Sequence, residues 1–290
     1  MALLRRVATG RVALATVILL LLLASRASLP FWTDLSGRAF DFLSTAAAPA
    51  PETSDILIVA VDESSFAEIG LQWPWPRDLH ARLIRSLRAA GARAVAFDII
   101  LAEPSDPKAD EALAAAIGPD VVLAADETIA ETPQGTLLTR TEPLPALLER
   151  GARSGIASLS QDKDGVVRRL PTYPDGFMRA LLGGPANAPP PRDRLIQYFG
   201  PAGSYPRISY YQALDPDTFL PPDVLKGKIV IVGYALQAAT EAGEGAATDS
   251  FETPWTLRTG GLTPAGVPRT EAAAGTLERE GTVVPANRES

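Results

Sequence analysis

Three short runs that are apolar on both of their alternating faces constrain the fold of this chain more than any other feature. They are ILIVAV (Ile56–Val61), AVAFDII (Ala94–Ile100) and VVLAAD (Val121–Asp126). Such runs are typical of strands that are covered on both sides of a sheet. Leu79, Leu83, Ile84 and Leu87 share one face of a helix predicted between the first two strands.

A strand, a helix and a strand with short connections form a βαβ unit, so the first two strands are predicted to be parallel and adjacent. The unit is repeated, because Asp106 and Pro107 are placed to start a second helix that ends at Gly118. The buried-strand pattern returns in KGKIVIVG (Lys226–Gly233), which we expect to rejoin the main sheet. The predicted fold class is α/β, a mostly parallel βαβ-type sheet flanked by helices.

The second half of the chain has a different pattern. GIASLSQDKDGVVRRLPTY, residues 155–173, is interpreted as two strands joined by a turn at Asp164 and Gly165. This pattern predicts an antiparallel hairpin inserted into the α/β fold. RLIQYFG, residues 194–200, is predicted to be another short strand, and residues 271–280 are a possible helix.

The first 32 residues have the pattern of a membrane signal. Three arginines precede an uncharged run, Val12–Ala24, which favours an N-terminus in the cytoplasm and export of the downstream residues. The run suits a signal peptide, with small residues for cleavage at Ser25–Ala27. If Arg26 extends its charge to the interface, the apolar segment reaches Phe31 and Trp32 and approaches a spanning helix. We favour an uncleaved single-pass anchor.

These patterns divide the chain into four parts. Residues 1–32 are the anchor or signal peptide, and 33–54 are a juxtamembrane helix (Asp34–Leu43) with a linker rich in small residues. Residues 55–264 form the exported domain, and 265–290 form a weakly structured tail. The expected location is therefore the inner membrane, with the domain periplasmic or extracellular.

Composition argues against several functions. The formal charge of −7, from 34 acidic and 27 basic residues, argues against nucleic-acid binding. The chain has no cysteine, which excludes thiolate chemistry, and one histidine, His80, which we expect on a helix surface or in a loop contact. No cofactor motif and no catalytic signature is present, so we predict neither a cofactor nor an enzyme.

Three aspartates lie at or near the ends of the predicted strands: Asp62, Asp98 and Asp126. Ligands of open parallel sheets bind beyond the carboxyl ends of the strands, so these carboxylates are candidates for binding or for metal chemistry. The alternative is that each aspartate accepts hydrogen bonds from backbone amides of the following loop or helix. An enzyme hypothesis would be a metal-assisted hydrolase that uses Asp62, Asp98 and Asp249.

The segment WPWPR is the most unusual feature of the sequence. Each proline restricts the residue before it to extended geometry, so no helix can begin before Pro76. Trp73 and Trp75 either cover the hydrophobic core or form an aromatic rim over the carboxyl ends of the strands. Arg77 is predicted to pair with a strand-end carboxylate. The predicted ligand-binding residues are Asp62, Trp73, Trp75, Arg77, Asp98 and Asp249.

Several segments appear in the order seen in the second CHASE family of extracytoplasmic sensory domains. They are ILIVAVDESSFAEIG, WPWPRDLHARLIRSLRAAGARAVAFDIILAEPSD, DKDGVVRR, LKGKIVIVG and DSFETP. The similarity covers roughly residues 34–264. The resemblance implies a sensor that precedes membrane helices and a cytoplasmic cyclase, histidine kinase or Ser/Thr kinase.

No such effector is present in this sequence, which leads us to expect an effector that is encoded separately or lost. The expected partners are an unknown small-molecule or protein signal, the membrane and a membrane-spanning effector. A structural periplasmic interaction module is a further alternative.

Overall fold

The computed structural model of the protein describes residues 15–17, 30–48, 55–132, 135–183, 195–201, 203–236, 250–256, 258 and 267–268. The chain divides into two compact units, Met1–Leu43 and Ser44–Ser290. The predicted boundaries between the four parts of the chain stay predictions, and so does the helix at 271–280, which lies outside the described residues.

The predicted juxtamembrane helix is present and is longer than expected. Helix α1 (Pro30–Ala46) contains the whole of Asp34–Leu43 and leaves Leu35 and Phe42 exposed. None of the helices in the described part of the chain has the length and apolar character needed to cross a membrane. Val12–Ala24, the apolar run of the predicted anchor at residues 1–32, is described only at residues 15–17, so the membrane helix stays a prediction.

The second unit is a mixed α/β domain. Its helices are α2 (Glu63–Ile69), α3 (Arg77–Ala89), α4 (Pro107–Ala116), α5 (Pro145–Leu148), α6 (Phe177–Leu181), α7 (Tyr210–Leu214) and α8 (Pro216–Phe219). Its strands are β1 (Ile56–Val61), β2 (Ala94–Ile100), β3 (Val121–Thr132), β4 (Gly135–Thr141), β5 (Arg153–Ile156), β6 (Arg207–Ser209), β7 (Ile229–Tyr234), β8 (Ser250–Phe251) and β9 (Val267–Pro268). The main sheet has the order β4-β3-β2-β7-β1-β6, with β5 also paired to β3, while β8 and β9 pair separately.

The predicted adjacency of the first two strands is wrong. β1 and β2 both run parallel to β7, which lies between them, as shown by Val232 opposite Val59 in β1 and opposite Phe97 in β2. A strand that is apolar on both faces gains most from a central position, where both faces are covered. The prediction that Lys226–Gly233 rejoins the main sheet is confirmed.

The antiparallel hairpin is present in the fold but not where it was predicted. β3 continues past Asp126 to Thr132 and pairs with β4, and all the other pairs of the main sheet are parallel. The turn at Asp164 and Gly165 exists, with the amide of Asp162 donating to the carbonyl of Val166 at 3.0 Å.

The segments on either side of this turn do not pair as strands. Val166 forms an isolated bridge with Glu252. Arg169 forms another with Leu195, and residues 196–200 of the strand predicted at 194–200 are not in a strand. Partners that are distant in the chain therefore replace the predicted hairpin.

The core lies on both faces of the sheet, and alternate residues of each strand point to opposite faces. On the first face Phe97, Ile99 and Val232 pack against α3, α4 and α7. On the second face Ala96 and Ile231 pack with Phe177 of α6. We call these the α3 face and the α6 face. The predicted apolar stripe of α3 is buried on the α3 face.

Candidate functional site

The segment between α2 and α3 carries aromatic side chains to the carboxyl edge of the sheet, the edge where β1, β2 and β7 end. α2 ends at Ile69, and Gly70 follows it as the C-cap, with a φ of 68° that suits glycine because this conformation is strained for residues with a Cβ. The chain then runs through WPWPR, and α3 begins at Arg77 immediately after Pro76. The prediction that no helix begins before Pro76 is confirmed.

Seven rings meet on the α3 face at this edge, and we call them the aromatic cluster. Neighbouring ring centroids lie from 4.7 to 6.4 Å apart, mostly edge to face, which is the range in which aromatic rings attract each other. The members are Phe66, Trp73, Trp75, His80, Phe97, Tyr210 and Tyr234.

Trp75 occupies the buried half of the cluster. Only 2% of it is exposed, and its ring centroid lies 4.9 Å from that of Tyr210 and 5.1 Å from that of Phe66. Its indole Nε1 donates to the carbonyl oxygen of Leu71 at 3.2 Å, so its polar atom is satisfied inside the fold. These contacts favour a core role for Trp75.

His80 also lies in the buried half, which overturns the prediction that it is a surface or loop-contact residue. It is 1% exposed, and its Nδ1 lies 2.8 Å from the hydroxyl oxygen of Tyr210. Burial, together with the nearby positive charge of Arg77, lowers the pKa of His80 to about 3. Burial also raises the pKa of Tyr210 well above its ordinary value. Both groups are therefore neutral at pH 7.

Trp73 occupies the outer half of the cluster and is only half-buried. Its ring centroid lies 4.7 Å from that of Tyr234, the last residue of β7, and 6.4 Å from that of Phe66. Phe66 and Tyr234 are half-buried as well. These three rings therefore form a partly exposed apolar rim at the carboxyl edge of the sheet.

Arg77 does not pair with a strand-end carboxylate, which corrects that prediction. Its Nε lies 3.9 Å from Oδ1 of Asp110, on α4, and its Nη2 donates to the carbonyl oxygen of Glu103 at 3.4 Å. Burial lowers the pKa of Arg77, and the charge of Asp110 partly offsets this effect. The first turn of α3 lies against α4, so this ion pair joins two helices.

Asp62 has the structural role that was the alternative to ligand binding. Its Oδ1 accepts from the backbone amide of Ser65 at 2.9 Å and from the Ser65 hydroxyl at 2.6 Å, which caps α2. Its Oδ2 accepts from the hydroxyl of Ser209 at 2.6 Å. Asp62 therefore ties the end of β1 to the start of α7, and its role in ligand binding stays a prediction.

The structure does not bring Asp98 to the tryptophans. Asp98 lies inside β2 and is 3% exposed. Its neighbours Phe97 and Ile99 both pack on the α3 face, so strand alternation directs Asp98 to the α6 face. The sheet therefore separates its carboxylate from Trp73 and Trp75.

The other two aspartates of the sequence hypotheses differ in outcome. Asp126 lies in the middle of β3 rather than at its end, and its Oδ1 accepts from the hydroxyl of Ser158 at 2.6 Å. Asp249 falls outside the described residues. In the part of the chain that the structure describes, His, Asp and Glu residues form no group of three that could hold a metal ion.

A buried arginine near the turn at Asp164 and Gly165 was missed in the sequence. Arg168 is 4% exposed, and its guanidinium donates to Asp162 at 2.8 Å and to both oxygens of Asp164 at 2.7 and 2.8 Å. The hydrogen bond from Arg168 lowers the pKa of Asp164. The sequence feature that could have predicted this cluster is the spacing of Asp162, Asp164 and Arg168, in which the arginine follows the second aspartate by four residues.

Comparison with known proteins gives one result. A sequence model of the CHASE2 domain matches residues 13–278, which is most of the chain. The matched range includes the whole main sheet and every ring of the aromatic cluster. No curated protein and no solved structure is significantly similar to the chain.

Proposed function

The chain belongs to the CHASE2 domain family, a family of sensory extracellular domains, and on this premise we propose that it senses a ligand outside the cytoplasm. The proposed binding surface is the outer half of the aromatic cluster. The proposed ligand is a small molecule or a protein segment that presents an apolar or flat group to these rings.

One observation carries this proposal: Trp73 keeps part of its ring at the surface although it contacts four other rings of the cluster. Partly exposed aromatic rings with fixed neighbours lose little side-chain entropy when a ligand covers them, so more of the contact energy contributes to affinity. The carboxyl edge of a mostly parallel sheet is also the usual location of ligand sites in open α/β folds.

The other predicted ligand-binding residues have different roles in the proposed site. Trp75 supports the rim through its ring contact with Trp73. Arg77 supports it by joining the start of α3 to Asp110 of α4. Asp62 holds α2, which carries Phe66. Asp98 lies on the other face of the sheet, so it would act only in a second part of the site, and Asp249 stays a prediction from the sequence.

The proposed topology places the N-terminus in the cytoplasm and the second unit outside, with residues 1–32 as an uncleaved anchor. Arginines before the apolar run Val12–Ala24 support this orientation. The proposed output is a membrane-spanning cyclase or kinase that responds to the ligand-bound state. Coupling requires the ligand to bind two states of the complex with different affinities.

A thermal-shift screen tests the binding surface. The full chain in detergent is screened against a library of small polar and aromatic compounds, and each stabilising compound is tested again on Trp73→Ala and Phe219→Ala. Phe219 is the matched control, because it is an exposed aromatic residue that packs on Tyr211 rather than on the cluster. A compound at 100 times its Kd stabilises the folded state by about 2.7 kcal/mol.

We expect the stabilisation to be lost in Trp73→Ala and kept in Phe219→Ala. Compounds that stabilise both variants as well as the unaltered chain would contradict a binding site at the outer rings. The topology is tested separately by protease digestion of spheroplasts with mass measurement of the mature chain. Protection of the second unit, or a mature chain that begins at Ser28, would contradict the proposed anchored topology.

A further inference from the structure

The hairpin formed by the second half of β3 and by β4 has the features of an interaction surface. Among the described strands, β4 is the last at its end of the sheet, and every residue of β4 from Gly135 to Arg140 is exposed. Three large apolar side chains of this hairpin are more than half exposed: Ile129 at 61%, Leu137 at 55% and Leu138 at 58%.

The outer edge of β4 carries little of the protection that sheet edges usually have. Natural edge strands are commonly blocked by charges, prolines or bulges, because an open edge pairs with other chains. Gly135–Thr139 contains no charge and no proline, and the register from Thr132 opposite Gly135 to Asp126 opposite Thr141 is continuous, without a bulge.

The one charged residue of β4 has partners on its own chain. Arg140 donates to Asp175 at 2.5 Å and to Glu142 at 2.5 Å. These two carboxylates fix the guanidinium and compensate its charge. The remaining edge is therefore uncharged and partly apolar along its length.

We propose that this edge pairs with the same edge of a second copy of the chain, antiparallel, about a two-fold axis at Leu138. In this arrangement Leu138 lies opposite Leu138 of the second copy. Ile129 lies directly opposite Leu138 within each hairpin. The four side chains then form one apolar strip across four strands, on one face of a continuous sheet.

The direction of the backbone groups supports this register. Thr132 pairs with Gly135, only three positions later in the sequence, and a pair this close to the reversal of the chain is a hydrogen-bonded one. Hydrogen-bonded pairs then alternate with pairs that are not hydrogen-bonded along an antiparallel ladder. Leu138 and Ile129 therefore form a pair that is not hydrogen-bonded within the hairpin. The N–H and C=O of Leu138 point outward, where Leu138 of the second copy presents the same groups.

The placement of charge favours a second copy over an unrelated partner. The two-fold axis puts Arg140 opposite Thr136 of the second copy, and the two arginines lie at opposite ends of the paired segment. They are separated by about four residues along the strands, or roughly 13 Å, so like charges do not meet. The edge is thus complementary to itself in charge and in hydrogen bonding.

Single cysteines test the axis, since the natural chain contains none. Facing Cα atoms of a hydrogen-bonded antiparallel pair are about 5.5 Å apart, within the range of a disulfide. In Leu138→Cys the two cysteines face each other. In the matched control Leu137→Cys they are displaced by two residues, about 8 Å apart, which is beyond that range. We expect at least about tenfold more cross-linked dimer with Leu138→Cys under mild oxidation.

A charge at the axis tests the same interface without cross-linking. Sedimentation of the full chain in detergent is expected to show dimers at a protein concentration of about 10 µM, which suffices for a dimer with a Kd of about 1 µM. Leu138→Lys, which places two ammonium groups together, is expected to give monomers. The control Leu71→Lys changes a leucine of similar exposure outside the hairpin and is expected to leave the dimer intact.

Three results would overturn the proposal. Equal cross-linking at 137 and 138 contradicts the two-fold axis. A dimer that is unaffected by Leu138→Lys places the interface elsewhere. A monomeric chain with no cross-linking at either position shows that the edge does not pair. None of these results bears on ligand binding at Trp73, which lies at the carboxyl edge of the sheet.

Discussion

The buried and outer halves of the aromatic cluster have similar composition and different surroundings. Trp75, His80, Tyr210 and Phe97 are enclosed between α3, α7 and the sheet, and each is at least 98% buried. Phe66, Trp73 and Tyr234 continue the same ring contacts to the surface. The comparison shows how one Trp-Pro repeat can serve two purposes: the second tryptophan fixes the segment in the core, and the first is held rigidly at the surface.

The largest expected effect is at Trp75. Trp75→Ala removes a fully buried indole and its contacts with Phe66 and Tyr210, so we expect the free energy of unfolding to fall by about 3–5 kcal/mol. Urea denaturation at pH 7, followed by circular dichroism, measures this loss. Phe219→Ala is the control and should cost much less, because that ring is about half exposed. A loss below about 1.5 kcal/mol at Trp75 would show that the buried half is not a packed core.

The second effect concerns pH and His80. Its pKa is about 3 in the folded protein and 6.5 as a free side chain, so only the unfolded state binds a proton between these values. The stability that results from this difference in pKa is fully present above pH 6.5 and decreases as the pH falls from 6.5 towards 3. Between pH 7 and pH 5 we expect a loss of about 2 kcal/mol from this group.

His80→Gln separates this effect from the titration of carboxylates, because the chain has no other histidine. Urea midpoints are measured at several pH values between 5 and 7 for both proteins. The variant should lose less stability than the unaltered chain over this interval. Parallel curves for the two proteins would show that His80 titrates normally and is not enclosed.

A smaller effect is expected at Asp62, which supports the outer half by holding α2. Asp62→Ala removes the cap of α2 and the acceptor of the Ser209 hydroxyl, so we expect a loss of about 1–2 kcal/mol. Asp106→Ala is the matched control. Asp106 also caps a helix, through the amides of Lys108 and Ala109, and its residue is exposed. Equal losses at the two caps would mean that the link from Asp62 to Ser209 contributes nothing.

The sequence correctly predicted the strands whose apolar pattern can be recognised from the residues of the strand itself. β1, β2 and β7 are apolar on both faces, and the helix α3 follows from its leucine spacing. The position of β7 between β1 and β2 has no local signal, because it depends on packing between segments more than 130 residues apart in the sequence. The hairpin was misplaced for a related reason: Asp164 and Gly165 form a true turn, but Glu252 and Leu195 bind the segments beside it.

The candidate site was predicted in part. Proline chemistry correctly placed the start of α3 at Arg77 and brought both tryptophans to the carboxyl edge. The partners of His80 and Arg77 could not be predicted, because Tyr210 and Asp110 come from other helices. The separation of Asp98 from the tryptophans depends on which face of β2 each residue occupies, and a strand apolar on both faces does not reveal this in its sequence.

The most direct test of the account is the stability of Trp73→Ala compared with that of Trp75→Ala, both measured by urea denaturation at pH 7. Trp73 is the residue through which we propose that a ligand is sensed, and it is less buried than Trp75, so removal of its ring should cost less free energy of unfolding. We predict a loss of no more than about 1.5 kcal/mol at Trp73 and at least twice that loss at Trp75. Two losses above about 3 kcal/mol would show that both tryptophans belong to the core and would contradict a ligand site at the outer rings.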